Sequence, residues 1–198
     1  MTGLDFSGAA LAEARALAAR TGSAVDFVEA RVDRALEVLE PGAFDLVFTG
    51  IGALCWLPDA ADWARTVAGL LAPGGELFLR EGHPMLWALD ESRQDAQTVA
   101  PPCFETAEPV VFDEPGTHVE TEHEFVHTRS ASWNHGLGEI VSAVLAAGLR
   151  VTLLEEHRSV PWEALPGRMV RTDLGEYRLA GGEDLLPLTF TLRATKEG

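Results

Sequence analysis

Apolar and polar positions alternate with two periods along the chain, and each switch between periods predicts an element. A short apolar piece, Gly3 to Phe6, stops at an acid, Asp5. Ser7 then suits an N-cap, and Ala9 to Arg20 reads as an alanine-rich helix with Leu11, Ala14, Leu17 and Ala18 on one face. Gly22 stands where a left-handed stop is wanted. Val25 to Val28 alternates as a strand does, and Phe44 to Thr49, rich in aromatic and branched residues, is a stronger strand broken by Gly50 and Gly52. Pro58 and Asp59 open a helix from Ala60 to Leu71, which Pro73, Gly74 and Gly75 close. Glu76 to Glu81 is the next strand and runs into Gly82, His83 and Pro84.

From Trp87 to Trp133 the texture changes: helical periodicity disappears, prolines recur, and His118 to His127 alternates polar and apolar positions. This predicts an insertion holding an antiparallel hairpin with its turn near Pro115 and Gly116. Glu139 to Ala147 then reads as a helix stopped by Gly148, with Asn134 as a simple cap ahead of it. Arg150 to Leu154 is a strand, Pro161 to Leu185 an irregular excursion, and Leu188 to Ala194 a terminal strand. Strands alternating with helices imply an α/β fold, a mostly parallel sheet with helices on both faces. A length of 198 residues fits one domain. Its parts are a first portion over residues 1–82, an insertion or lid over 83–135, and a last helix with an antiparallel strand pair over 136–198.

Composition narrows the function. With 15 Lys and Arg against 31 Asp and Glu, the formal charge is −16, which repels phosphate backbones and anionic lipid. Nucleic acid and membranes are therefore not expected as partners, and a neutral or cationic acceptor is favoured over nucleic acid. A homo-oligomer is left open. No apolar run approaches the roughly 20 residues of a membrane span, and no basic segment leads into an apolar one at the start. Cys55 and Cys103 lack CxxC spacing, so reduced thiols in a cytoplasmic protein are expected, with no structural zinc. His123 and His127, four apart on a strand, stand about 13 Å from each other, too far to share one ion, so no metal site is expected.

The order of motifs resembles that of the class I S-adenosylmethionine-dependent methyltransferases, of the methyltransferase type 11/12-like kind, over most of the chain. Gly3-Leu4-Asp5-Phe6-Ser7-Gly8 is similar to the family's second strand ending in an acid before a helix, and Phe44-Asp45-Leu46-Val47 to its fourth strand. Leu70 to Leu77, with Pro73-Gly74-Gly75 inside it, resembles the turn into its fifth strand. Ala147 to Val151 and Leu188 to Ala194 resemble its last two strands, the reversed pair at the sheet edge. The resemblance implies a Rossmann-like sheet, S-adenosyl-L-methionine as cofactor, and methyl transfer to a small-molecule acceptor. It implies cofactor contacts from Asp5 at the ribose and from its neighbour Phe6, from Arg31, Val32 and Asp33 at the adenine, and from Thr49, Gly50 and Ile51 at the methionine end. Arg31 stands where the family commonly has an acid, with Asp33 two places on. The family's first strand and Gly-rich loop are absent from the sequence, so an N-terminally truncated chain is expected, with its second and fourth strands left facing a gap or closed up in a changed order. The competing readings are a non-catalytic remnant acting as a binding module completed by another chain, and a nicotinamide dehydrogenase, which shares the strand-end acid.

Several residues carry chemistry in one reading and structure in another. Asp5 at the end of a parallel strand can accept two ribose hydroxyls, or merely cap the following helix. His83 and His135 suit a base that relieves an acceptor of its proton, or are loop histidines bonded to backbone. Glu81 can orient either histidine, or is a solvated strand-end acid. Trp56, Trp87 and Trp133 can wall an apolar acceptor pocket, or belong to the core. Cys55 reads as a small buried hydrophobe, having no cationic neighbour in sequence.

Overall fold

The computed structural model describes residues 1–93, 98–113, 126–182 and 184–198. At the start, strand β1 (Thr2–Asp5) leads into helix α1 (Gly8–Thr21) and strand β2 (Asp26–Glu29). The Ser7 hydroxyl accepts the Ala10 N–H at 3.2 Å, and Gly22 ends the helix at φ +69°, so both predicted caps are used. β1 and β2 pair in parallel with Asp5 opposite Glu29. Of the expected apolar face of α1 only Leu11 is buried, because two four-residue strands offer the helix little surface to cover. A turn at Val32–Arg34 and the short helix α2 (Ala35–Val38) follow.

The main sheet has four strands. β3 (Phe44–Thr49) pairs in parallel with β4 (Leu71–Gly82), and the terminal β10 (Thr189–Lys196) runs antiparallel between β4 and β7 (Leu149–His157). This is the reversed edge pair expected from sequence. Period-two alternation along β4 sends Leu77 and Leu79 to one face, where they meet Leu192 and Ala194 of β10. Helices α3 (Ala60–Leu70) and α5 (Leu137–Ala146) cover that face with Trp63, Ala64, Val67, Ile140 and Val144, and the joint cluster is the main core. The opposite face carries Phe48 stacked on Phe78 at 5.8 Å, and the ion pairs Glu76–Arg193 and Arg80–Glu176.

Both long helices are pinned at their ends. The Asp59 carboxylate accepts the N–H groups of Ala61 and Asp62 at 2.7 and 3.0 Å at the start of α3. At the other end of α3 the Lys196 ammonium donates to the carbonyls of Ala68 and Leu71 at 2.7 and 2.8 Å, a cation at the negative pole of the helix. The cap of α5 differs from the expectation: it is Gly136, whose N–H is taken by the Glu139 carboxylate at 2.5 Å. Asn134 is displaced from that role because its amide donates to the carbonyls of Pro84 and Pro102.

β1 pairs with β2 alone and β3 with β4 alone among the described residues, so of the two expected outcomes the sheet takes the gap. Leu46 and Phe48 on β3 are 55% and 64% exposed. In the region of the expected insertion, β5 (Val110–Asp113) pairs antiparallel with β6 (Arg129–Ser132). The turn predicted at Pro115 and Gly116, with His118 and His123, lies outside the described residues; His127 is exposed and outside a strand.

The excursion from Pro161 to Leu185 is more ordered than its sequence suggests. It holds a small hairpin, β8 (Met169–Arg171) with β9 (Tyr177–Leu179), and a second core. There Leu86 of the one-turn helix α4 (Pro84–Trp87) meets Val160, Leu165, Leu179 and Leu188. Trp87 stacks on Trp162 at 5.7 Å and lies flat on Gly82, where a Cβ would stand 2.6 Å from the indole. Glycine at 82 is what lets the ring reach the strand.

Loss of the α3 cap tests how the main core is anchored. Asp59→Ala is expected to lower stability by about 0.5–2 kcal/mol, measured by urea unfolding, with the secondary structure of the folded state unchanged by circular dichroism.

Candidate functional site

β3 and β4 are parallel, so the loops that follow Thr49 and Gly82 leave the same edge of the sheet. This carboxyl edge is where α/β folds bind ligands. Glu81 sits there, 2% exposed. Its Oε1 accepts the N–H groups of Gly52 (2.5 Å) and Gly82 (2.7 Å), and its Oε2 those of Ala53 (2.9 Å) and Leu54 (3.0 Å). A carboxylate offers about four acceptor positions, and backbone donors take all of them. Burial pushes the Glu81 carboxyl above the usual carboxylate range, and the four amide donors pull it back down. Glu81 therefore fixes the loop after β3, and neither histidine is among its partners.

The turn at Leu54–Trp56 is held from the other side by residues 133–135. The Trp133 N–H donates to the Cys55 carbonyl at 2.9 Å. His135, buried, sets Nε2 at 2.8 Å from the Leu57 carbonyl and 3.2 Å from that of Leu54, and Nδ1 at 2.6 Å from Glu105 Oε2. Carbonyls only accept, so Nε2 carries a hydrogen, and one proton lies in the short contact between Nδ1 and Glu105. Both ring nitrogens are thus occupied. Glu105 also accepts the Ala60 N–H at 3.2 Å, which ties the segment to the start of α3.

Glu81, Trp87, Trp133 and His135 surround one tight cleft with Cys55, holding about 10 Å³ of free space, the room of a single water. The Trp133 indole N–H is buried there without a partner among the described residues. The Cys55 thiol donates to the Gly52 carbonyl at 3.3 Å. Burial, and then the neighbouring Glu81 charge, push it up to about 12, so it is a protonated thiol, as its sequence surroundings suggest.

His83 lies apart from this cleft. Its Nδ1 accepts the Met85 N–H at 3.1 Å and so caps α4, which leaves the hydrogen of the neutral ring on Nε2. Nε2 is 3.0 Å from Glu156 Oε1, yet outside the angle of a hydrogen bond and with no other partner among the described residues. The ring meets Phe190 edge-on. Burial lowers the His83 pKa from the ordinary histidine value, and Glu156 raises it part of the way back.

The remaining sequence-predicted residues are spread over the first part of the chain. Asp5 Oδ1 accepts the Ser7 N–H at 2.7 Å, and no bond to Oδ2 is found among the described residues. Phe6 is exposed and Val32 half-buried against the main core. Arg31 grips both oxygens of Asp33 at 2.9 and 3.0 Å in an exposed pair. That pair holds the Asp33 carboxyl below the usual range. Thr49, Gly50 and Ile51 are half-buried at the end of β3, and Trp56 is about half exposed. Glu105, Glu139 and Glu156 did not stand out in the sequence. Only Glu156 had a usable signal, its place just beyond a predicted strand at the carboxyl edge.

Residues 1–77 match a family model described as a methyltransferase domain. The chain is 40% identical over 81 residues to a ubiquinone biosynthesis O-methyltransferase of Ralstonia nicotianae, covering 41% of this chain and 33% of that protein. It is 35% identical over 91 residues to one from Sodalis glossinidius, covering 45% and 36%. The chain thus spans about a third of the length of these curated relatives. Among solved structures, an S-adenosylmethionine-dependent methyltransferase from Mesorhizobium loti superposes with a TM-score of 0.58 at 20% identity, covering 98% of this chain and 79% of that one. Another from Methanosarcina mazei gives 0.61 at 16% identity, covering 99% and 81%. These two likenesses speak for the fold.

Two substitutions test the electrostatics of the cleft. Glu81→Gln turns one acceptor oxygen into a donor facing two backbone N–H groups. It is expected to cost about 1–3 kcal/mol per orphaned N–H in urea unfolding, which a solvated strand-end acid would not. Cys55 gives a signed pH effect. An unfolded thiol ionises near 8.5, whereas the folded one stays neutral to about 12, so its contribution is complete below the lower value and is lost as pH rises between them. Cys55→Ala is expected to flatten the fall in stability between pH 8.5 and 10 by up to about 1.4 kcal/mol per pH unit, measured by urea unfolding across that range.

Proposed function

We propose that the chain is a class I S-adenosylmethionine-dependent methyltransferase, which binds S-adenosylmethionine and transfers its methyl group to a small-molecule acceptor, a reading supported by the match of residues 1–77 and by the shared fold. The observation that carries this reading is the match of residues 1–77 together with Asp5 at the carboxyl end of β1. One Asp5 oxygen holds the Ser7 N–H, and the other is open to ribose hydroxyls. This open acceptor oxygen fits the ribose end of the cofactor. At the adenine end, Val32 supplies backbone, and Asp33 becomes available when its exposed pair with Arg31 opens, at a cost of about 0–1 kcal/mol. Thr49, Gly50 and Ile51 face the methionine end in this reading.

When bound, the cofactor supplies a methyl group on a sulfonium, so the chain's own task is alignment and exclusion of water. Glu81 and His135 serve this as positioning residues, since all their polar atoms already hold backbone or Glu105 in place. Trp87 and Trp133 face the acceptor side in this reading, with Trp56 half exposed on the turn held by residues 133–135. The matched relatives are named as O-methyltransferases, and an oxygen acceptor is one member of the class this chain would serve.

One observation favours a second reading. The break in the sheet between β1 and β3 suits a binding module whose open strands are completed by another chain. Calorimetry with S-adenosylmethionine separates the two. Saturable binding, weakened roughly 10- to 100-fold by Asp5→Ala through loss of a charged hydrogen bond of about 1.5–3 kcal/mol, is the expected result. No binding by the wild-type chain would remove the enzymatic reading in favour of the module.

A further inference from the structure

A second cleft, of about 300 Å³, opens at the carboxyl end of β7, between Glu156–Arg158 and Asp184–Pro187. In the sheet register Gly82, Thr189 and His157 stand in one row, so this cleft shares the ligand-binding edge of the sheet with the ends of β3 and β4. At a liquid-like ~30 Å³ per heavy atom it holds on the order of ten non-hydrogen atoms, which suits a free small molecule.

The charges in this cleft are unevenly spent. Arg158 is paired with Asp184 at 2.5 Å on the exposed rim. His157 Nε2 is 2.8 Å from the Thr191 hydroxyl. Glu156, half exposed toward the cleft, is paired with no Arg or Lys among the described residues. Behind it stands the 95%-buried His83, whose Nε2–H has no hydrogen-bond partner among the described residues and lies 3.0 Å from Glu156 Oε1. The ring cannot turn away, because Nδ1 is committed to the Met85 N–H and one edge rests on Phe190. The buried Nε2–H dipole thus stands held against Oε1 at the back of the cleft. Leu185, Leu186 and Pro187 supply an apolar wall opposite, with Leu185 68% exposed.

We infer that the cleft is a binding site for a small organic ammonium, with Glu156 as its anionic anchor, His83 as the residue that positions that anchor, and the Leu185–Pro187 wall against the ligand's hydrocarbon body. An ammonium matches a cleft carboxylate that meets no Arg or Lys among the described residues, and the wall explains why a hydrated metal ion is a poorer occupant. The inference goes beyond methyl transfer and does not depend on it.

Titration of the full chain with cyclohexylamine, cyclohexanol and Nα-acetyl-lysine amide, followed by calorimetry or NMR shifts, tests it without any S-adenosylmethionine. Saturable binding of cyclohexylamine at least tenfold tighter than of cyclohexanol is expected. Glu156→Gln should weaken the amine at least tenfold and leave the alcohol unchanged. His83→Asn keeps an acceptor for the Met85 N–H but removes Nε2–H, and should weaken the amine about threefold with thermal stability and alcohol binding preserved. Equal binding of amine and alcohol, or an amine affinity indifferent to Glu156→Gln, overturns the site. Binding of the lysine amide in preference to the free amine overturns the small-molecule assignment.

Discussion

A carboxylate removed from water must be given as many donors as it has lone pairs, and the carboxyl edge of this sheet is arranged around that requirement. Glu81 lies at the end of a buried strand, on the same face as Leu77 and Leu79, where period two would otherwise place another leucine. Four backbone N–H groups converge on it, three from the loop after β3 and one from Gly82 at the end of its own strand. The cost of leaving any one of them unpaired is about 1–3 kcal/mol, comparable to burying a large apolar side chain. Once the loop after β3 is fixed in this way, Cys55 is sealed as a neutral thiol, and the Leu54 and Leu57 carbonyls are presented to His135. The sequence neighbours of Glu81 matter as much: only glycine at 82 lets Trp87 lie on the strand and reach Trp162, which joins the second core to the sheet.

What could be read in advance is whatever local chemistry decides. Ser7, Gly22 and Asp59 cap their helices as their residue types suggest, and Phe44–Thr49 is found as the strand its branched and aromatic content predicts. β4 begins at Leu71 rather than Glu76 because its pairing with β3 resumes across an irregularity between Phe44 and Leu46, a property of two strands together. β8 and β9 escaped notice because three residues are too few to show a period.

The candidate site was legible as a set of residue types and illegible as a set of pairs. His135 and Glu105 meet across 30 positions, and His83 meets Glu156 only because β10 inserts between β4 and β7. Helix and strand periods report which face a side chain occupies, and carry no information about which strand will be its neighbour. Asn134 shows the same limit on a smaller scale, since a good capping residue was taken by two carbonyls from distant segments.

Lys196 is the only lysine in the chain, and its ammonium closes the C-terminal end of α3. The last strand is thereby latched to a helix formed more than a hundred residues earlier. An amine-directed reagent has one side-chain target, and that target is free to react only when the latch lifts. The rate of acylation at this one position therefore reports how often the C-terminal edge lifts from the helix, a built-in clock for local breathing that needs no introduced probe.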